Sequence, residues 1–339
     1  MSLRTARRWV TETSLIAARS AAPLIPSMFL RVGEGLIAAA GPHAPRLAAI
    51  VRGNMTAAGV YDREVFRGYF RHVGRHLSNA MRMLGAPSRP EEVAAMAREQ
   101  IDVDESIRHL RDAVGAGRGA VVAAPHVCNY VLTLVRLRME IPIWVYLRWS
   151  KNERKRRLKQ AWCEAAGLPV IVEPPDAANP TARAAACVAA LQQGKALVMT
   201  PDIAQKDKDR GIGVEVLGHR AMLPTGPASI AMLAEAPIVS VFGRTDGPRH
   251  TITAMPGIGV PSVSRADGGR REALRRALQV WADGFTSFVR QSPAAWFLWA
   301  DSRWTRVFRG DARFGGPVLG RTREGRSVAM TEALPEFQR

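Results

Sequence analysis

The apolar residues of this 339-residue chain change their period near Gly119. Ahead of that point they recur every three or four positions, over 30–40, 44–58 and 62–83, which predicts amphipathic helices. Beyond it, short apolar runs at 120–124, 143–147, 169–172, 196–200 and 238–242 alternate with segments of helical spacing. A further strand is expected at 250–255, and 271–290 reads as a long helix with a basic outer face. This alternation predicts an α/β fold: a mixed, mostly parallel sheet flanked by helices, with an N-terminal helical annex. The expected organisation is a helical, membrane-facing segment over 1–98, an α/β core over 99–310 and a basic tail over 311–339, where Gly, Arg, Thr and Glu displace the apolar period.

Apolar residues make up 47% of the chain, enough for a large core, and the formal net charge of +18 calls for an acidic partner. Nucleic acid, anionic lipid headgroups and an acidic carrier protein all qualify by charge. The basic residues spread along helices and tail without aromatic-interleaved or zinc-bearing modules, so nucleic acid is not expected. Cys128, Cys163 and Cys187 form no CxxC pair, which reads as reduced thiols in a cytosolic setting, with neither structural disulfide nor zinc site. No His, Cys or Asp cluster has metal-ligand spacing, and no tightly held cofactor is implied. Near the N-terminus, Arg19, Pro23, Pro26 and Arg31 cut the apolar run into pieces too short to span a bilayer or form a signal peptide's apolar region. Basic amphipathic helices lying on a membrane face, a helical annex packed on the core, or both, fit that pattern.

His126 falls where the run GAVVAAP (119–125) gives way to a segment of helical spacing, so it occupies a strand-to-helix corner. A helix N-terminus presents unpaired N–H groups and partial positive charge, a setting that favours the neutral imidazole a general base requires. The alternative is a ring that caps the helix and satisfies its own hydrogen bonds. Cys128, two positions on, points away from His126 in a helix and reads as a small core residue. Arg148 ends a hydrophobic strand and needs compensation, from a substrate phosphate or from an acid such as Asp202. Thr225 and Gly226 open a helix whose N–H groups would receive an anion or a developing oxyanion, or be capped in the ordinary way. Six basic residues crowd 151–159; Arg154, Arg156 and Arg157 there are either a docking surface for an acidic carrier protein or anionic lipid, or a solvated helix face.

Taken in order, these segments resemble one family. HVCNYV at 126–131 is similar to the H-x-x-N-aromatic-E box of the bacterial lipid A biosynthesis acyltransferases, within the lysophospholipid acyltransferase-like superfamily, with His126, Asn129 and Tyr130 matching. VYLR at 145–148 with Asn152, GKALVMTPD at 194–202, the helix start around Thr225 and Gly226, and WADSRW at 299–304, which contains Arg303, resemble further elements of that family. The likeness runs over roughly 30–310. Val131 departs from it, standing where the family carries the acid that orients the His, and Asp301 stands where the closing element usually has His. The resemblance implies acyl transfer from a thioester on acyl carrier protein or coenzyme A to a hydroxyl or amine of a lipid-like or glycolipid acceptor, with His126 as base. Asn129, Tyr130, Arg148, Thr225, Gly226 and Arg303 would contact substrate. The implied place is peripheral, on the cytoplasmic face of the inner membrane against an anionic surface; acyl length, acceptor, donor carrier and oligomeric state are left open. Asp202 or Asp301 is expected to replace the missing carboxylate; the rival readings are a better nucleophile such as an amine, or a catalytically silent relative that binds acyl chains or acyl carrier protein.

Overall fold

A computed structural model describes residues 27–85, 90–127, 129–148, 152–173, 180–206, 211–246, 249–261 and 269–315. Helices α1 (Ser27–Ala40), α2 (Pro45–Ala57), α3 (Arg63–Gly85) and α4 (Pro90–Gln100) come first, and α4 leads directly into β1 (Ile101–Val103). After α5 (Arg108–Ala113) the chain alternates: β2 (Ala120–Ala123), α6 (Tyr130–Glu140), β3 (Ile143–Arg148), α7 (Glu153–Ala165), β4 (Val170–Glu173), α8 (Pro180–Gln192) and β5 (Ala196–Met199). A hairpin of β6 (Gly211–Val216) and β7 (His219–Pro224) follows, then α9 (Gly226–Ala234), β8 (Ile238–Asp246), β9 (Arg249–Ala254), α10 (Gly269–Gln291) and α11 (Ser302–Phe308). The N-terminal basic segment, Cys128 and almost all of the expected C-terminal tail lie outside the described residues.

Seven strands form one sheet in the order β1-β9-β8-β2-β5-β3-β4, parallel throughout except for the antiparallel β8–β9 pair. This is the mixed, mostly parallel sheet expected from the alternation. Strand β2, reading AVVA, is buried along its whole length, as a central parallel strand covered by helices on both faces requires. Its residues alternate between faces: Val121 and Ala123 join Leu197 and Met199 of β5 in one core, while Ala120 and Val122 join Ala196 and Val198 in the other. The first core is closed by α10 and by the aromatic C-terminal segment, with Trp281, Trp296, Trp299 and Trp304 all fully buried. The second is closed by α4 and α6.

The structure adds elements that the apolar period does not reveal. Strand β1 is three residues of Ile-Asp-Val, too short for alternation to register, and gains its partner only through β9. The β6–β7 hairpin turns at Leu217 and Gly218, whose φ angles of 52° and 77° give the left-handed pair that a two-residue hairpin turn uses. Helix α3 runs for 23 residues and packs along α1, where Gly74 lets the backbones meet: a Cβ there would sit 2.7 Å from the Glu34 carbonyl oxygen.

Entry into β2 depends on Gly119. Its φ of 63° and ψ of −169° lie in a region that only glycine occupies readily, and an added Cβ would stand 2.5 Å from the Lys195 carbonyl oxygen and 2.6 Å from that of Leu191. Gly119→Ala is therefore expected to lower stability by at least about 2 kcal/mol in urea unfolding. The less crowded Gly194→Ala, which has open space around its Cβ position but a φ of 69°, is expected to lose less. Equal losses would show that the close approach at Gly119 contributes nothing.

Candidate functional site

Register along the sheet brings two distant residues together. Ala123 of β2 pairs with Met199 of β5, and the Ala124 amide donates to the Met199 carbonyl at 3.1 Å. Three residues past each member of that pair stand His126 and Asp202, at the carboxyl ends of adjacent parallel strands, where α/β proteins hold their ligands. His126 Nδ1 lies 2.8 Å from Asp202 Oδ1, and the His126 backbone N–H donates to Oδ2 at 2.8 Å. The Asp202 carboxylate is 0% exposed, whereas the His126 side chain keeps 28% of its surface open. With Nδ1 turned to the carboxylate, Nε2 is the ring nitrogen left to face a reactant.

The C-terminal segment clamps this corner. Phe297 donates its N–H to the His126 carbonyl at 2.9 Å, Val127 bridges to Trp296, and the Trp296 indole donates to Asp202 Oδ2 at 3.0 Å. Trp304 donates its indole N–H to the Asp202 backbone carbonyl at 2.8 Å.

Asn129 opens α6 in a left-handed conformation, φ 61°, which asparagine tolerates better than most residues. It is 2% exposed and its polar atoms are occupied by protein: its N–H donates to His76 Nδ1 at 3.1 Å, its Oδ1 accepts from Asn79 at 2.9 Å, and its Nδ2 meets His250 Nε2 at 2.9 Å. His76 and Asn79 come from α3, so this residue ties the annex to the start of α6. The His76 ring packs at a tilt against Phe297, with centroids 4.9 Å apart. Burial, reinforced by the nearby His126, lowers the His76 pKa to about 4, consistent with Nδ1 acting as an acceptor. Burial also takes His72 to about 4 and His250 to about 3, with Arg75 adding to both shifts.

A cavity of about 230 Å³ opens beside the pair. His126 and Tyr130 line it together with Met83 from α3, Val131 and Leu134 from α6, and Trp162 from α7. The Tyr130 ring stacks on His126 at 5.3 Å, and burial, then the Asp202 charge, pushes its phenol above the usual range, so it stays protonated. Val131, standing where an acid was looked for, is part of this apolar wall. Burial raises the Cys163 thiol, also in the wall, to about 11.

The other residues singled out in the sequence lie elsewhere. Asp301 caps α11 and grips Arg303 with both carboxylate oxygens; burial opposes its ionisation, but Arg303 outweighs that and holds the carboxyl below its usual range. Arg148 ends β3, exposed, and pairs in register with Glu173. Thr225 precedes α9 without a side-chain cap, Gly226 packs toward Met199, and neither lines the cavity. Arg156 and Arg157 face Glu153 in the first turns of α7, and the Arg154 side chain lies outside the described residues. Sequence reasoning missed His76, Asn79, His250 and Trp296. The first two carried a signal, since His72, His76, Asn79 and Met83 fall at spacings of four, three and four on one helix face.

A histidine held by a fully buried carboxylate at the strand ends of a mostly parallel sheet, its ring in the wall of an apolar cavity, defines an α/β protein with a polar pair beside a hydrophobic cavity. The chain belongs to the bacterial lipid A biosynthesis acyltransferase family, whose model matches residues 2–306. It is 27% identical over 202 residues to a phosphatidylinositol mannoside acyltransferase of Mycolicibacterium smegmatis (strain ATCC 700084 / mc(2)155), a match that covers 59% of this chain and 61% of that protein.

The three depressed histidines make stability depend on pH. Their folded pKa values lie below the ordinary 6.5, so between about 4 and 6.5 the unfolded chain binds more protons, and stability rises with pH across that window. Each histidine contributes up to about 1.4 kcal/mol per pH unit there. The melting temperature is expected to fall from pH 7 toward pH 4, with a shallower slope in His72→Phe; an unchanged slope in that variant would contradict the assignment.

Proposed function

We propose that this protein is an acyltransferase that moves a fatty acyl group from a thioester donor, on acyl carrier protein or coenzyme A, to a hydroxyl or amine of a lipid-like or glycolipid acceptor. The observation that carries the reading is His126 in the wall of the apolar cavity with its Nδ1 held by the buried Asp202. Asp202 holds Nδ1–H and stabilises the imidazolium; Nε2 takes the proton from the acceptor as its oxygen or nitrogen attacks the thioester carbonyl. The tetrahedral intermediate then collapses, the C–S bond breaks, and the proton held by His126 passes to the leaving thiolate. Tyr130, the first residue of α6, stacks on the ring, so the partial positive charge of that helix N-terminus lies beside the developing oxyanion. The acyl chain lies along Met83, Val131, Leu134 and Trp162, where burial of methylenes supplies binding energy.

The family match, the mycobacterial relative and the exposed apolar face of α1 support a lipid acceptor taken from a membrane surface. Phe29, Val32 and Leu36 are exposed at spacings of three and four, and Leu77 is exposed on α3, the helix that also supplies His76, Asn79 and Met83 to the cavity. Among the described residues no helix is long and apolar enough to cross a membrane. Peripheral attachment to an anionic surface, at the cytoplasmic face of the inner membrane, fits these features and the net charge. Arg154, Arg156 and Arg157 on α7 are the docking surface proposed for the acidic carrier or headgroup; Asp301 and Arg303 are assigned to structure.

The test is release of free thiol from palmitoyl-CoA by the full chain, with lipid products read by mass spectrometry. His126→Ala is expected to lower kcat by at least about 10³-fold, Asp202→Asn by a factor on the order of 10³, and Asp301→Asn by less than about threefold. Full turnover in either of the first two variants would overturn the reading.

A further inference from the structure

We propose that Trp296 is a positioning residue for catalysis, acting through the Asp202 carboxylate. This role rests on the His126–Asp202 dyad proposed above. Oδ1 of Asp202 must face the imidazole, which it does only if the carboxylate is prevented from turning about its Cβ–Cγ bond. Oδ2 is therefore the atom that decides the geometry, and it has two donors, the His126 N–H at 2.8 Å and the Trp296 indole at 3.0 Å. The first belongs to the residue being oriented; among the described residues only the indole ties Oδ2 to a different part of the chain.

The indole suits this task chemically. It donates and cannot accept, so it stabilises the ionised carboxylate without competing for the proton on Nδ1. A carboxylate with 0% exposure has no water to replace a lost donor. Trp296 is itself immobilised, wholly buried and edge-packed on Trp299 at 4.7 Å, Trp304 at 4.9 Å and Phe285 at 5.3 Å. Its backbone bridges Val127, and the next residue bonds the His126 carbonyl, so one short segment sets both members of the pair.

The experiment is a double-mutant cycle on the full chain with palmitoyl-CoA as the thioester probe. Trp296→Phe keeps the ring packing and removes the N–H; kcat is expected to fall about tenfold, the kinetic equivalent of one charge-assisted hydrogen bond, with KM within about twofold. In an Asp202→Asn background the same change is expected to cost less than about twofold, because the charged partner is already gone. Thr286→Val, which loses a hydroxyl that accepts from the Leu217 N–H at 3.1 Å away from the cavity, serves as the control that lowers the melting temperature and leaves kcat unchanged. An unchanged kcat in Trp296→Phe, or the same loss in both backgrounds, overturns the proposal. If Trp296→Phe does not fold, 15N-tryptophan spectra decide: one indole N–H resonance is expected to move upfield on Asp202→Asn, and a spectrum with no shifted indole overturns the role. Should Asp202→Asn and His126→Ala leave thiol release untouched, the dyad falls; should they lower it while Trp296→Phe does not, only the positioning role falls.

Discussion

A carboxylate with no solvent contact holds this site together. A buried charge is costly unless hydrogen bonds replace its hydration, and Asp202 receives three, two from His126 and one from Trp296, while Trp304 bonds its backbone carbonyl. Those bonds reach three separated parts of the chain: the end of β2, the turn after β5 and the C-terminal aromatic segment. The sheet supplies the register that makes them possible, and the aromatic core supplies rigidity. Removing the carboxylate would leave the His126 N–H and an indole N–H unpaired in the interior, a structural cost in addition to any catalytic one.

The same arrangement accounts for the departure at position 131. The carboxylate that meets His126 comes from the turn after β5 and not from the helix that follows His126, and in the proposed function it takes the role of the orienting acid. Position 131 is then free to be apolar, and Val131 contributes to the cavity wall with Leu134 and Met83. Asn129, which sequence reasoning assigned to substrate, lines the cavity and is also bonded to Asn79, His76 and His250, which fastens α3 to the start of α6. The annex is thereby part of the site: α3 brings exposed Leu77 and cavity-lining Met83 on one helix.

Much of the architecture was legible because it follows from period. The strands at β2, β3, β4, β5, β8 and β9 and the helices α1, α2, α3 and α10 were expected close to where they stand. The short acidic β1 and the β6–β7 hairpin carry too little alternation to announce themselves. At the site, His126 and Asp202 were both visible as residues at the ends of apolar runs. Choosing Asp202 over Asp301 required knowing that β2 and β5 are neighbours in the sheet, a long-range fact that no local pattern encodes. Trp296 was hidden for the same reason, since an indole in an aromatic run looks like core until its N–H is seen to reach a carboxylate.

The chemistry of the site turns on one proton. If Asp202 orients His126, the neutral imidazole carries its hydrogen on Nδ1 and presents a bare Nε2 to the cavity, a state that 15N-histidine long-range correlation spectra of the full chain resolve directly. His126 in the wild-type protein is expected to be in the Nδ1–H form. A wild-type His126 carrying its proton on Nε2 would contradict it.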